Sequence, residues 1–525
     1  MVQIRAQDDE YELRSRDSVE SKDSFDLDAE DPETRALTSE AYLPHERSAW
    51  AEILSYLRRK TFGSAQRSRQ LARNVGLPRR RPFRRICFFT HSAFLTVLCL
   101  AIFTAILRPS YTHPPERYNT LRQQVLASNA AGRANPQNEK IFIAASIFDP
   151  DGELAQGPWS KAVLGLIDIL GPDNVFLSIY ENNAGTTARE ALESMGQEVG
   201  CQHELIFDEN LDPSTLLHFT LPDGTRRVKR ITYLAEVRNR ALKPLELLEI
   251  KFDKILYLND VIFDPIEAAH LLFLTKAQDT DAGRTDYRAA CAVDFINPFK
   301  FYDTFATRDS EGYSMGLPFY PWFTDSGRGR SRQDVLAQKD AVMVKSCWGG
   351  MVAFDAKYFQ FNFADKLNTA GDLRKAPAEG FRFRAEEDLF WDASECCLIH
   401  ADIQSPDPED SGIYLNPYVR VAYDERTLSW LGFTRRFERL YTGMHSLLNH
   451  IVGLPWYNPR RAATAGSEVE ERVWVYDDTL PTGGSFTKMK RKASHAGYCG
   501  RQALQVMLEQ PVPGQRPYEI IPIPT

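Results

Sequence analysis

Four groups of residues have the types and spacing to do chemistry, and Asn259-Asp260 is the first of them. It closes the run Lys254–Phe263, KILYLNDVIF, in which Ile255–Leu258 read as a short buried strand. The carboxyl ends of strands are where open α/β sheets hold their ligands. Asp264-Pro265-Ile266-Glu267 follows, an N-cap acid with Pro at the first helical position and Glu three residues after the cap. A hard carboxylate at such a crossing suits a divalent cation and a phosphate, because these cations take oxygen ligands and leave positions to phosphate and water. An Asp that only caps a turn has the same local pattern.

The second group is Arg238-Asn239, on a helical pattern just before that strand. Arg238 can fork onto a phosphate or fix a neighbouring carboxylate, and Asn239 can bond a base or ribose. An ordinary surface Arg is the plainer alternative. The third is Ser346-Cys347-Trp348-Gly349-Gly350. Gly349 and Gly350 let backbone approach a ligand closely, and Trp348 offers an apolar face to a sugar ring. A turn carrying a core Trp fits the segment equally well. The fourth is Glu386-Glu387-Asp388, followed by His400 at the end of an apolar stretch read as a strand. Glu387 and Asp388 can hold or deprotonate an acceptor hydroxyl, and His400 can ligate a metal through its neutral ring. Singly, a short acidic run is more often a solvated face and a lone His more often structural. The order joins them: phosphate-side Arg, strand-end acid, glycine turn, acidic pair, late His.

The elements that must position these groups alternate. Ile141–Phe148, Asn174–Tyr180, His203–Phe207 and Ile255–Leu258 read as strands. The stretches from Pro158, from Thr187 and across 230–250 read as helices, the last divided at Pro244. This predicts an α/β domain with a mostly parallel, Rossmann-like sheet covered on both faces. Tyr287–Phe295 reads as a further strand, 324–340 as a mobile polar loop, and the chain beyond Pro459 as largely aperiodic.

Upstream, Ile86–Leu107 is an almost unbroken apolar run, long enough as a helix to span about 33 Å of bilayer. Arg79, Arg80, Arg81, Arg84 and Arg85 precede it and Arg108 alone follows, so the positive-inside rule puts the N-terminus in the cytosol. A start as late as Ile86 argues against a cleaved signal peptide. The division expected is a polar cytosolic tail over 1–85 (46–60 weakly amphipathic), a membrane helix over 86–107 and a stem over 108–138. A catalytic domain over 139–460 and a C-terminal extension over 461–525 complete it. A net charge of −8 argues against a nucleic-acid partner; the hydrophobic share of 43% argues against overall disorder. Cys201, Cys291, Cys347, Cys396, Cys397 and Cys499 fall on the lumenal side, where disulfides form, but spacing does not give their pairing. Asn-x-Ser/Thr acceptors are absent from the sequence.

The runs LAEVRNRAL, FDKILYLNDVIF, YRAACAVDF, FYDTFATRDSEG, CWGGMVAFDA and FRAEEDLFWDASECCLIHADI stand in collinear order between about 139 and 403. Together they resemble the fungal capsule-associated glycosyltransferases, the cryptococcal α-1,3-mannosyltransferase family. The resemblance implies a GT-A fold, GDP-mannose as donor, a divalent metal such as Mn2+, a mannan or other glycan acceptor, and a Golgi membrane with the catalytic domain lumenal. Asp260 matches the metal acid of the GT-A Asp-x-Asp motif, although Asn259 adjoins it and the next acid is Asp264. The resemblance supplies His400 as the second metal ligand, Gly349-Gly350 beside the donor sugar, Glu387-Asp388 toward the acceptor and Arg238-Asn239 near the nucleotide. Asp294 and Tyr302–Asp309 match without an assigned role. A UDP-sugar donor on the same fold, or a non-catalytic scaffold for polysaccharide assembly or export, are the alternatives. Protein partners are not legible.

Overall fold

Every residue of strand β1 (Ile141–Ile147) is buried, as is every residue of β2 (Val175–Asn182). Strands without a polar alternation must be covered on both faces, and these are. The computed structural model describes residues 82–525 apart from 183–184, 209–210, 212, 278–284, 361–379, 408, 510–515 and 525. The expected tail up to Arg81, with its 46–60 segment, lies outside the described residues.

The remaining strands of the main sheet are β3 (Gln202–Asp208), β4 (Lys254–Leu258), β5 (Ala289–Asn297), β6 (Lys300–Phe301), β7 (Arg308–Asp309), β8 (Val342–Ser346), β9 (Met351–Asp355) and β10 (Ile413–Ala422). Their order is β3-β2-β1-β4-β9-β5-β10-β8-β7, with β6 beside β5. β1 to β4 run parallel, and β10 is parallel to β5. β9 is antiparallel to both β4 and β5, which therefore point the same way. The carboxyl ends of β1, β2, β4, β5 and β10 thus open on one edge, and the turn leading into β9 arrives there too. The mostly parallel α/β sheet expected from the sequence is present.

Alternation along β1 assigns the two faces. Phe142 and Ala144 join one core with Phe176, Ile255, Tyr257 and Trp348. Ile141, Ile143 and Ile147 join the other with Leu177, Leu256 and Leu258. Each such buried large apolar side chain contributes about 1.5–3 kcal/mol. Helix α1 (Pro82–Leu107) belongs to one compact unit and the body from Arg108 onward to another. Phe88–Leu107 has mean hydropathy 2.0, so by length and composition it can cross a membrane.

The body's helices are α2 (Glu116–Leu126), α3 (Pro158–Leu170), α4 (Thr186–Glu198), α5 (Arg230–Leu242), α6 (Pro265–Leu274), α7 (Arg330–Leu336), α8 (Glu395–Ile403), α9 (Glu425–Thr434) and α10 (Tyr441–Val452). Pro244 does divide the 230–250 pattern. Three expected boundaries move. The stem is not a spacer: Tyr111 is 1% exposed, and α2 buries Tyr118, Leu121 and Val125 against the body. The supposed mobile loop 324–340 contains α7, whose Arg332 is satisfied internally by the Phe323 carbonyl (2.8 Å) and His445 Nδ1 (2.9 Å). Polarity misled there because buried polar groups that find partners are stable inside. The C-terminal extension forms a hairpin, Glu468–Tyr476 with Gly484–Lys492, and is fastened to the body by the Cys397–Cys499 disulfide and by pairing of Asp392 with Arg501. A second disulfide, Cys291–Cys347, links β5 to the glycine turn. Cys201 and Cys396 are buried and take no part in a disulfide.

Candidate active site at the carboxyl edge of the sheet

Asn259 is the hub of this edge. Its backbone N–H donates to the Gly350 carbonyl (2.9 Å), and its own carbonyl accepts from Trp159 Nε1 (3.0 Å). Its side-chain Oδ1 accepts from Trp348 Nε1 (3.1 Å) and Arg238 Nη1 (3.2 Å). Asn259 is therefore engaged through its backbone and its side-chain oxygen in fixing the end of β4, while the adjoining Asp260 stays half-exposed. The pairing of a pinned residue with an accessible carboxylate is the geometry a cation site needs.

The glycine turn is built for close packing rather than for admitting a sugar. Gly349 and Gly350 sit at φ +62° and +67°, and both are buried. A Cβ on Gly349 would overlap the Ala292 carbonyl, and one on Gly350 would lie 2.6 Å from Val261 Cγ1. Gly349→Ala is accordingly expected to cost at least about 2 kcal/mol, from a left-handed non-glycine residue plus the overlap. Thermal melting checks this; an unchanged midpoint would mean that the turn is not so confined. Trp348 is 1% exposed, packed among Tyr257, Phe354 and Phe383. It is a core residue, not an open platform, so the donor-contact role expected of it is corrected.

The turn is held by two buried acids that the sequence left without a role. Asp303 Oδ2 accepts from Gly349 N (3.1 Å), and Asp294 accepts from Asp303 N (3.1 Å) and from the Tyr423 hydroxyl (3.0 Å). Burial, with the Asp303 carboxyl beside it, holds Asp294 well above the ordinary carboxylate range.

Two further acids close the neighbouring strands. Asp149, after β1, accepts through Oδ2 from Leu154 N (2.9 Å) and Ala155 N (3.0 Å). Glu181, near the end of β2, accepts from Asp149 N at 3.0 Å through Oε1. Its other oxygen, Oε2, is buried without a hydrogen-bond partner. Burial pushes Glu181 up to about 8 and raises Asp149 as well. Both follow apolar runs, as Asp260 does, so the strand-end rule that found Asp260 would have found them too.

Arg238 takes the second of its two expected roles. Its Nε bonds Glu395 Oε1 at 2.8 Å, and its guanidinium lies 4.5 Å from the Trp348 ring centroid. It fixes a buried carboxylate and Asn259; the structure does not present it to a phosphate. Asn239 likewise spends both amide atoms on the Phe383 backbone, at 2.9 and 2.8 Å, which corrects its assignment to base or ribose.

The acidic pair divides. Lys229 Nζ, fully buried, gathers the carbonyls of Asp388 (3.0 Å) and Trp391 (2.9 Å) and pairs with Asp392 (3.1 Å), so the loop is clamped from beneath. The Asp388 carboxylate is held by Arg460 (2.7 Å) and Arg491 (2.8 Å) of the C-terminal extension. Two guanidiniums occupy it, a correction to its expected role as base. Glu387 is exposed on the same loop.

His400 lies in α8 rather than on a strand, because Ser394 caps a helix there by accepting from Cys396 N. Its ring is fully buried. Nδ1 donates to the Cys396 carbonyl (2.6 Å), Nε2 faces Cys291 Sγ at 3.9 Å, and Phe354 packs 5.4 Å away between ring centroids. Burial lowers it to about 4, so it is neutral. Cys291, Cys347 and His400 have ligand atoms within 4.8 Å of one another, but the disulfide occupies both sulfurs. The surroundings of His400 are thus sulfur and phenyl, which corrects its assignment as partner to Asp260. Among the described residues no trio of carboxylates or imidazoles gathers on Asp260. A single protein oxygen fits a Mg2+- or Mn2+-like ion that takes most of its shell from diphosphate and water.

Against known proteins, the family described as Cryptococcal mannosyltransferase 1 matches residues 140–402. No curated protein matches the sequence. Among solved structures, the chain is similar to the mannosyltransferase PcManGT from Pyrobaculum calidifontis in complex with GDP-Man and Mn2+, at 10% identity and TM-score 0.29, covering 70% of this chain and 76% of that one. Mannosyl-3-phosphoglycerate synthase from Rubrobacter xylanophilus gives 12% and 0.26, covering 73% and 94%. Glucosyl-3-phosphoglycerate synthase from M. tuberculosis gives 10% and 0.27, covering 74% and 96%.

Proposed function

The chain belongs to the cryptococcal mannosyltransferase 1 family, and from that premise we propose that this glycosyltransferase moves mannose from GDP-mannose to a hydroxyl of a mannan or other glycan. The product linkage in this reading is α-1,3, and the site lies in the Golgi lumen behind the single helix α1. The observation that carries the reading is the gathering of Asp260, the glycine turn and the Asp149–Glu181 pair on one sheet edge. Asp260 would hold a divalent ion, Mn2+ in this reading, which when bound neutralises the diphosphate leaving group. Glu387, exposed on a clamped loop, is the carboxylate free to orient the acceptor hydroxyl. Two disulfides favour an oxidising compartment. The test is a screen of nucleotide sugars against glycan acceptors, read by product mass with and without Mn2+. GDP-mannose alone should be consumed; turnover with a UDP-sugar only would overturn the donor assignment.

Glu181 supports a guanine nucleotide. Glu181 is wholly buried with Oε2 unpartnered, so a base reaching it must open the strand end; guanine then offers adjacent N–H donors that a carboxylate accepts, where uracil offers one. Accepting them requires the ionised form. The folded-state value near 8 lies above the ordinary 4.5, so the protonated form stabilises the fold fully below about pH 4.5, and that contribution is lost as pH rises toward 8. GDP affinity is therefore expected to rise between about pH 6 and 8. Glu181→Gln should flatten that rise and weaken GDP by about tenfold or more at pH 8, since an amide nitrogen repels guanine's donors. Calorimetry at both pH values checks it; equal binding by the two proteins would remove Glu181 from the site.

A further inference from the structure

Helix α10 is built inside out. Its buried positions are polar: His445 Nε2 bonds the Leu317 carbonyl at 3.0 Å, and Asn449 Oδ1 accepts from Leu317 N at 2.8 Å. Its outward positions are apolar, with Met444 55%, Leu447 54% and Ile451 68% exposed. These recur at helical spacing and so share one face. The segments on either side in sequence also expose large apolar side chains. Upstream, Trp430 and Phe433 of α9 are 49% and 55% exposed and stack edge-on at 5.7 Å. Downstream, Trp456 is 42% exposed. So many exposed large apolar side chains within one short stretch mark a surface that something covers.

The chain itself says what that is. Helix α1 ends at Leu107, and three residues later Ser110 N donates to the Arg435 carbonyl (3.3 Å), while Arg435 Nη1 bonds the Tyr111 carbonyl (3.1 Å). Arg108–Ser110 can span only about 10 Å. If α1 crosses a bilayer, the covalent chain alone keeps Arg435 at the membrane surface, and Arg435 joins α9 to the turn that leads into α10. We propose that Trp430, Phe433, Met444, Leu447, Ile451 and Trp456 form a face that docks the catalytic body on the lipid interface. There indole rings sit among headgroups and aliphatic side chains enter the acyl boundary. The inference rests on the membrane reading of α1 but goes beyond it: the body is not held off the bilayer on a stalk; it lies on it.

The test uses the full chain reconstituted in phosphatidylcholine nanodiscs carrying chain-brominated lipid, which quenches only tryptophans at the acyl boundary. The Ile86–Leu107 run contains no Trp, Trp159, Trp322, Trp348 and Trp391 are buried and Trp474 is half-buried, and Trp50→Phe is carried in every sample so that the tail contributes no signal. Tryptophan fluorescence should be quenched, and Trp430→Phe with Trp456→Phe should lose that quenching. A second variant, Met444→Glu with Leu447→Glu and Ile451→Glu, alters exposed positions only. It should also abolish quenching, with melting temperature and transfer to a soluble acceptor unchanged. Failure of the chain to enter nanodiscs would overturn the membrane reading itself. Entry without quenching, or quenching that both variants retain, would overturn the docking face alone. So would a dimer that dissociates in the triple variant, since a second copy would then be what covers the face.

Discussion

Asp260→Ala is expected to lower kcat/KM for GDP-mannose by about a thousand-fold while changing the folding free energy by less than about 1 kcal/mol. The asymmetry follows from the division of labour at the end of β4. Asn259 makes the contacts that fix the strand end to Trp159, Trp348, Arg238 and Gly350, so the backbone at residue 260 stays placed without its own side chain. In the proposed reading, what is lost is a strand-end carboxylate that would hold a cation against the leaving diphosphate, an effect of several kcal/mol. Activity with a Mn2+ titration, set beside a melting curve, measures both halves. Asn259→Ala should invert the result, losing stability first. Full activity of Asp260→Ala at every Mn2+ concentration would place the cation elsewhere or dispense with it.

The sheet was legible because its strands are short apolar runs bounded by acids and prolines, a pattern that packing on two faces enforces. The insertion of β9 between β4 and β5 was not: no local feature of Met351–Asp355 says which neighbours it will separate. At the candidate site, Asp260 was singled out by its strand-end position, and Glu181 and Asp149 were not, although the same rule covers them. The residues misread share one cause. Trp348, Asn239, His400 and Asp388 are polar or aromatic groups whose partners lie far along the chain: Asn259, the Phe383 backbone, the Cys291–Cys347 bridge, and Arg460 with Arg491. A side chain's chemistry is visible in sequence, but whether that chemistry is already spent depends on long-range contacts. The disulfides belong here as well. Six cysteines beyond the apolar helix gave no pairing, and four of them form the two disulfides.

Arg238→Ala is expected to be the most destabilising single change in the site, about 3–5 kcal/mol, because it strands the Glu395 carboxylate in the core. Glu395 is fully buried, its second oxygen lacks a partner, and the Cys396 thiol that also donates to its first oxygen (3.4 Å) is too weak a donor to replace a guanidinium. Arg238→Lys should recover only part of the loss, since one ammonium cannot serve Glu395 and Asn259 from a planar fork while lying over Trp348. Removing both charges with Arg238→Met and Glu395→Leu should restore most of the stability, as apolar replacements of buried ion pairs do. It should not restore activity, because Asn259 Oδ1 would still lack its Arg238 donor and the strand end bearing Asp260 would loosen. Denaturant unfolding and transfer kinetics on the single and double variants separate the two roles. Recovery of both by the double variant would mean that Arg238 serves the fold alone. Recovery of stability without turnover would identify it as the residue through which the core positions the cation site.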